Sequence, residues 1–194
     1  KNDKRCEVIP NAIDLSFYKD LNKDDAKMLK KELGIPMDSI AIGHIGSYRR
    51  VKNHDFLVNL ASYLNKNKIK FSMVFVGQGE LFDEVKNKVI FNGLEKNVLM
   101  LGVRSDIPSL LNMFDVLLLP SLFEGIPVTI IEAQAACTRS ILSKNITEEV
   151  NICKGLVEYI GIDEGYDKWM NSIISNTKIV EERTDIIKII SDRG

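Results

Sequence analysis

The sequence predicts a doubly wound, Rossmann-like α/β fold, with about six mostly parallel strands in one sheet and helices on both faces. Three observations carry this. Short runs of β-branched and other apolar residues alternate with amphipathic stretches of helical period, the rhythm of successive βα units. Glycine, asparagine and proline punctuate that alternation where elements should end. Finally, 115–120 is the most apolar run, as expected of a central strand covered on both faces.

In chain order, Cys6-Glu7-Val8-Ile9-Pro10 reads as a short opening strand and 11–14 as a turn. A charged amphipathic helix is expected over 24–33, stopped by Gly34 with Pro36 just beyond. Residues 39–45 form a strand. Residues 53–65 form a helix whose inner face carries Phe56, Leu57, Leu60, Ala61 and Leu64. The strand at 71–76 ends at Gly77-Gln78-Gly79, and the helix at 80–91 ends at Asn92-Gly93. A strand at 97–101 ends at Gly102 and is followed by a short helix at 107–114. After the 115–120 strand comes a helix over 126–137, with Pro127 in its first turn, where proline is tolerated. Strands at 140–143 and 156–160 and helices at 163–176 and 182–191 complete a single domain spanning 1–194.

Bulk properties exclude several classes. A chain of 194 residues, 45% hydrophobic and 27% charged, can bury one substantial core. Cys6, Cys137 and Cys153 are widely spaced and form no CxxC pair, so neither a disulfide framework nor a zinc site is expected, and a reducing cytoplasm is the simpler setting. His44 and His54 are too few for a histidine metal centre. A net charge of −1 gives no global attraction to nucleic acid. No apolar stretch approaches the roughly 20 residues of a membrane span. The start at Lys1-Asn2-Asp3-Lys4, without methionine, leads us to expect a segment of a longer protein. Asn145-Ile146-Thr147 is a glycosylation sequon without consequence in a cytoplasmic protein.

Doubly wound sheets bind ligands beyond the carboxyl ends of their strands, so the loops after the strands hold the candidate site. These loops are Gly46-Ser47-Tyr48-Arg49-Arg50-Val51-Lys52-Asn53, Gly77-Gln78-Gly79, Gly102-Val103-Arg104-Ser105-Asp106 and Ser121-Leu122-Phe123-Glu124-Gly125-Ile126-Pro127. Together they read as a nucleotide diphosphate site. Gly46 permits close backbone approach. Arg49 and Arg50 offer bidentate forks and Lys52 a point charge. The helix opening near Ile126 presents free amides and a positive dipole end. Singly, each piece also fits an ordinary tight turn or a solvated loop. Glu124, placed just before an apolar helix, also fits a helix-start carboxylate. Glu132 lies in Val128-Thr129-Ile130-Ile131-Glu132-Ala133-Gln134-Ala135-Ala136, apolar almost all round, so its carboxylate either meets a structural partner or points into a pocket.

Glu124-Gly125-Ile126-Pro127-Val128-Thr129-Ile130-Ile131-Glu132-Ala133 resembles the E-x7-E motif of family-four retaining glycosyltransferases of the two-domain GT-B type. The resemblance extends over most of the chain. Val8-Ile9-Pro10-Asn11-Ala12-Ile13-Asp14 looks like the family's approach to its C-terminal domain, and Lys52-Asn53-His54 its basic loop. Val76-Gly77-Gln78-Gly79 resembles its second glycine turn, and Leu101-Gly102-Val103-Arg104 its base-binding strand end. Glu132-Ala133-Gln134-Ala135 and Ile146-Thr147-Glu148-Glu149 are similar to bacterial capsule and exopolysaccharide enzymes.

The resemblance implies roles. Glu132 would accept hydrogen bonds from ribose hydroxyls, and Glu124 would contact the donor sugar or charge near its anomeric carbon. Lys52 would hold the diphosphate and assist its departure. Backbone at Val103 or Arg104 would meet the base, commonly uracil, and amides over Gly125, Ile126, Pro127, Val128 and Thr129 the sugar and phosphates. It implies transfer of a sugar from a UDP-sugar, with retention and without a metal or other cofactor, to a glycan or lipid-linked acceptor in surface polysaccharide synthesis. The acceptor would sit largely in an N-terminal domain that this chain lacks, with peripheral membrane contact of the whole enzyme. The isolated chain should bind donor weakly and transfer nothing. One departure stands out: the family places an arginine directly after the first glycine, where this chain has Ser47, so Arg49 or Arg50 is expected to supply that charge. Rival readings are a non-catalytic α/β binding module and a related phosphorylase or epimerase. A dinucleotide dehydrogenase ranks last, since the glycines do not form G-x-G-x-x-G.

Overall fold

The computed structural model describes residues 12–175 and 183–192. The strand expected at 6–10, Asn11, and the helix ends expected at 176 and 182 lie outside the described residues. Six strands, β1 (Ile40–Ile45), β2 (Phe71–Val76), β3 (Val98–Met100), β4 (Val116–Leu119), β5 (Ser140–Ser143) and β6 (Val157–Ile160), form one sheet in the order β3-β2-β1-β4-β5-β6. Every pairing is parallel, so the expectation of a mostly parallel sheet sharpens to an all-parallel one.

The helices are α1 (Ser16–Lys19), α2 (Lys23–Glu32), α3 (His54–Lys66), α4 (Phe82–Phe91), α5 (Ile107–Met113), α6 (Val128–Ala135), α7 (Tyr166–Ile174) and α8 (Arg183–Ser191). Because side chains alternate across a strand, each strand feeds two cores. Ala41, Val74, Leu117 and Leu142 pack under α2, α5, α6 and α8, while Ile42, Met73, Leu118 and Ile141 pack under α3, α4 and α7. This double cover explains why β2 and β4 are buried at every position and read as unbroken apolar runs.

Four details depart from the expected elements. The 126–137 helix is shorter: Pro127 caps α6 instead of lying inside its first turn, which leaves Ile126 in the preceding loop. The 163–176 helix is broken by Gly165 at φ 87° into a 3-10 turn (Ile162–Glu164) and α7. The loop after β1 contains an unexpected 3-10 turn, Arg50–Lys52, and the turn at 11–14 leads into α1, a four-residue helix too short to show a period.

The strand order runs outward from β1 in both directions, so the chain's sense of winding reverses between β1 and β4. Their carboxyl ends release Gly46 and Pro120 side by side. A crevice opens at such a reversal because the two loops leave the sheet toward opposite faces.

Candidate functional site

The glycine turns at the carboxyl rim are locked by backbone contacts. Gly46 N–H donates to Val76 O at 2.9 Å, Tyr48 N–H to Gln78 O at 3.0 Å, and Gly77 N–H to Gly102 O at 2.8 Å. Gly77 adopts φ 141°, and a Cβ there would fall 2.1 Å from Gly46 O; only glycine fits. One at Gly79 would fall 2.6 Å from the Tyr48 backbone. The loops after β1, β2 and β3 therefore dock as one unit.

Across the reversal, Lys52 Nζ lies 2.6 Å from Glu124 Oε1, with side chains only 18% and 14% exposed. Lys52 closes the 3-10 turn after β1, and Glu124 sits in the loop after β4. Two further contacts fasten these loops: Leu122 N–H donates to Val51 O at 2.8 Å, and Asn53 Nδ2 to Pro120 O at 3.2 Å. Asn53 spends its side chain on this cross-link, not on capping α3, and holds a left-handed φ of 58° that asparagine tolerates. The cation and carboxylate predicted for the site thus come together as a sheltered ion pair.

Pro127 supplies no amide and no side-chain cap to α6, so the first amides of that helix are offered to the rim. Four residues along, at 1.5 Å rise per residue, Glu132 stands about 6 Å further down the axis than Val128. Glu132 is half-buried and lines a cleft of about 380 Å³ with Val128, Ser105, Ile107, Tyr18 and Phe17. Both sequence alternatives for Glu132 are met in part: it lines the cleft and also has a partner, the Tyr18 hydroxyl, which donates to Oε1 at 3.1 Å, while among the described residues no ion pair reaches it. Burial, and then the Glu132 charge, push the Tyr18 phenol above its ordinary range, so it stays a protonated donor. Sequence reading missed Tyr18, which lies 114 residues from its partner on α1.

The other predicted residues fall as follows. Val103 is exposed, two residues before the Ser105 that lines this cleft, and Arg104 is held by Asp106 through Nε and Nη2 at 2.8 and 2.7 Å, which stiffens the loop but commits the guanidinium. Gly125 and Ile126 are exposed and Thr129 half-buried at the start of α6. Arg49 and Arg50 are exposed and line a separate cavity of about 300 Å³ with His54, Asp55, Glu84 and Leu122. Arg49 meets Lys52 only through the backbone, its O accepting from Lys52 N–H at 3.0 Å; among the described residues neither guanidinium reaches Lys52 or Glu124 by a hydrogen bond or ion pair.

A larger cavity, about 600 Å³, lies at the opposite, amino ends of β1, β4 and β5. Most of its charges are already used: Lys30 pairs with Asp115 at 2.9 Å, Asp115 accepts from Ala41 N–H at 2.7 Å, and Arg139 donates to Ser172 O at 2.5 Å. Size alone does not make that end the site. No three His, Cys, Asp or Glu residues gather as a metal-binding group among the described residues, and no described helix is long and apolar enough to cross a membrane.

A parallel doubly wound sheet with a cation, two carboxylates and free helix amides at its reversal defines a class: α/β domains that bind a ligand carrying both phosphates and hydroxyls. Residues 25–189 match the family described as glycosyl transferases group 1, and the chain belongs to that family. It is 36% identical over 185 residues to EpsF, a protein of Bacillus subtilis (strain 168) described as a glycosyltransferase, covering 95% of this chain and 48% of the relative. It is 38% identical over 143 residues, 72% of this chain and 36% of the relative, to the Escherichia coli UDP-Gal:alpha-D-GlcNAc-diphosphoundecaprenol alpha-1,3-galactosyltransferase. The chain thus spans half or less of these relatives. The fold is that of Anabaena Alr3699/HepE, solved with UDP and glucose, at TM-score 0.76 and 22% identity over 95% of this chain and 50% of that one. It also matches the C-terminal domain of the Francisella tularensis group 1 glycosyl transferase LpcC, at TM-score 0.70 and 22% identity over 91% of this chain and 97% of that one.

Proposed function

We propose that this chain is the donor-binding half of a retaining GT-B glycosyltransferase that moves a sugar from a nucleoside diphosphate, UDP-linked, to a glycan or lipid-linked acceptor in surface polysaccharide synthesis. The observation that carries it is the Lys52–Glu124 pair across the strand-order reversal, with Glu132 eight residues beyond in its own cleft. Ribose hydroxyls donate to Glu132, the base lies against the loop at Val103, and the diphosphate spans the start of α6 to reach Lys52. Breaking the anomeric C–O bond leaves its electron pair on a phosphate oxygen. Lys52, the α6 amides and an arginine stabilise the growing negative charge where it appears, without a bound metal. Glu124 takes hydroxyls of the sugar, whose anomeric carbon becomes positive, and the acceptor oxygen bonds to the same face as its hydroxyl proton passes to the departing phosphate oxygen.

The galactosyltransferase named above acts on a diphosphoundecaprenol substrate, which supports a lipid-linked acceptor and a site of action at the inner face of the membrane. The acceptor is held by an N-terminal domain outside this chain. A non-catalytic nucleotide-sugar module remains the second reading because of Ser47 and the outward placement of Arg49 and Arg50. In an enzyme carrying both domains, Lys52→Ala should slow transfer at least about tenfold; unchanged transfer would favour the second reading.

A further inference from the structure

His44, near the end of β1, has no place in the chemistry above. Its ring is fully buried. Nδ1 lies 2.9 Å from Leu118 O on β4, so the ring bridges the two strands at the reversal. A carbonyl oxygen only accepts, so Nδ1 carries the hydrogen and Nε2 presents a lone pair. Nε2 is buried and has no partner among the described residues. A Cβ placed on Gly46 would lie 3.2 Å from His44 Nε2 and 3.3 and 3.4 Å from Lys52 Cδ and Cε. The lone pair and the lysine stem therefore converge over Gly46, the one rim residue small enough to leave that space. Burial holds the imidazole down to about 4, with the Lys52 charge adding to the effect and Leu118 O and Glu124 opposing it, so the ring is neutral at working pH. On its other side it meets His54 edge-on at 4.6 Å, and His54 stacks on Tyr48 at 4.2 Å. Burial also lowers His54, which keeps a second proton away.

The ammonium of Lys52 is committed to Glu124 at 2.6 Å. When a β-phosphate draws that ammonium away from Glu124, it needs a second acceptor to hold its direction, and a buried lone pair without a partner is a costly feature to carry for nothing. We propose that His44 is a positioning residue, its Nε2 lone pair accepting from the Lys52 ammonium so that lysine stays aimed at the β-phosphate once it turns from Glu124. The inference rests on the donor-site reading above.

The test compares UMP and UDP binding by calorimetry in His44→Asn and His44→Gln. Asparagine keeps a donor for Leu118 O but ends short of the Nε2 position; glutamine places an amide oxygen there. H44N should lose about tenfold of the preference for UDP over UMP with UMP affinity intact, as for a lost hydrogen bond to a charged group, and H44Q should retain that preference within about twofold. Equal loss in both variants, an unchanged preference in both, or parallel weakening of UMP and UDP would each overturn it. A wild-type chain with no preference for UDP over UMP would instead overturn the donor-site reading, and this inference with it.

Discussion

At the Lys52 end of the rim, two opposite charges from loops on either side of the reversal neutralise each other at 2.6 Å, walled by a buried imidazole and cross-linked by backbone bonds. At the Glu132 end, a carboxylate on α6 is held by one phenol from α1 and faces an open cleft. The first end must break or share an ion pair to admit a diphosphate, so its affinity depends on what Glu124 does next. The second has only one phenol–carboxylate hydrogen bond to exchange and no ion pair to break, and should bind nucleoside whether or not phosphates follow. On this account the Lys52 end discriminates between ligands and the Glu132 end anchors them.

The strongest way to break the contrast is to undo the docking of the loops. Gly77→Ala should lower unfolding free energy by about 3 kcal/mol or more, from strained φ and overlap with Gly46 O; a urea midpoint like wild type would show the loops are not locked. Acid should act chiefly at the Lys52 end. The unfolded His44 protonates near 6.5 and the folded ring only near 4, so the unfolded chain binds more protons between them and stability rises with pH in that window. Acidification from pH 6.5 to about 4 should therefore cost up to about 3 kcal/mol from His44, a slope H44Q should flatten; an identical slope in H44Q would place the titration elsewhere.

Smaller effects sharpen the division of labour. Lys52→Ala should weaken UDP by about 2 kcal/mol and leave uridine untouched, whereas Glu132→Gln should weaken both by about 1.5 kcal/mol; calorimetry with the two ligands separates them. Tyr18→Phe should cost uridine about 1 kcal/mol or less, because the phenol acts on the nucleoside only by holding the Glu132 carboxylate. If Tyr18→Phe hurt UDP but not uridine, the anchoring role of that end would be misassigned.

The strands and most helices were legible because a doubly covered sheet imposes apolar runs that survive without tertiary information, as at Phe71–Val76, where the expected and observed bounds agree. Boundaries at 126–137 and 163–176 were not, because a proline cap and a glycine break are local choices that periodicity does not register. Glu124, Glu132 and Lys52 were visible through their motif. Tyr18 and His44 were not: a tyrosine on a four-residue helix and a histidine inside a strand are ordinary in sequence, and acquire meaning only from Glu132 and Gly46 beside them. The charge expected from Arg49 or Arg50 was inferred from Ser47 alone, and sequence spacing could not show that both side chains line a different cavity.

The central claim is that the carboxyl rim, and not the larger cavity at the amino ends of the strands, receives a nucleoside diphosphate. Titrating the chain with UDP while following backbone amides by NMR tests it most directly. The account predicts shifts at Val103, Glu132 and Lys52 and none around Lys30 and Arg139. Shifts confined to Lys30, Asp115 and Arg139 would contradict it.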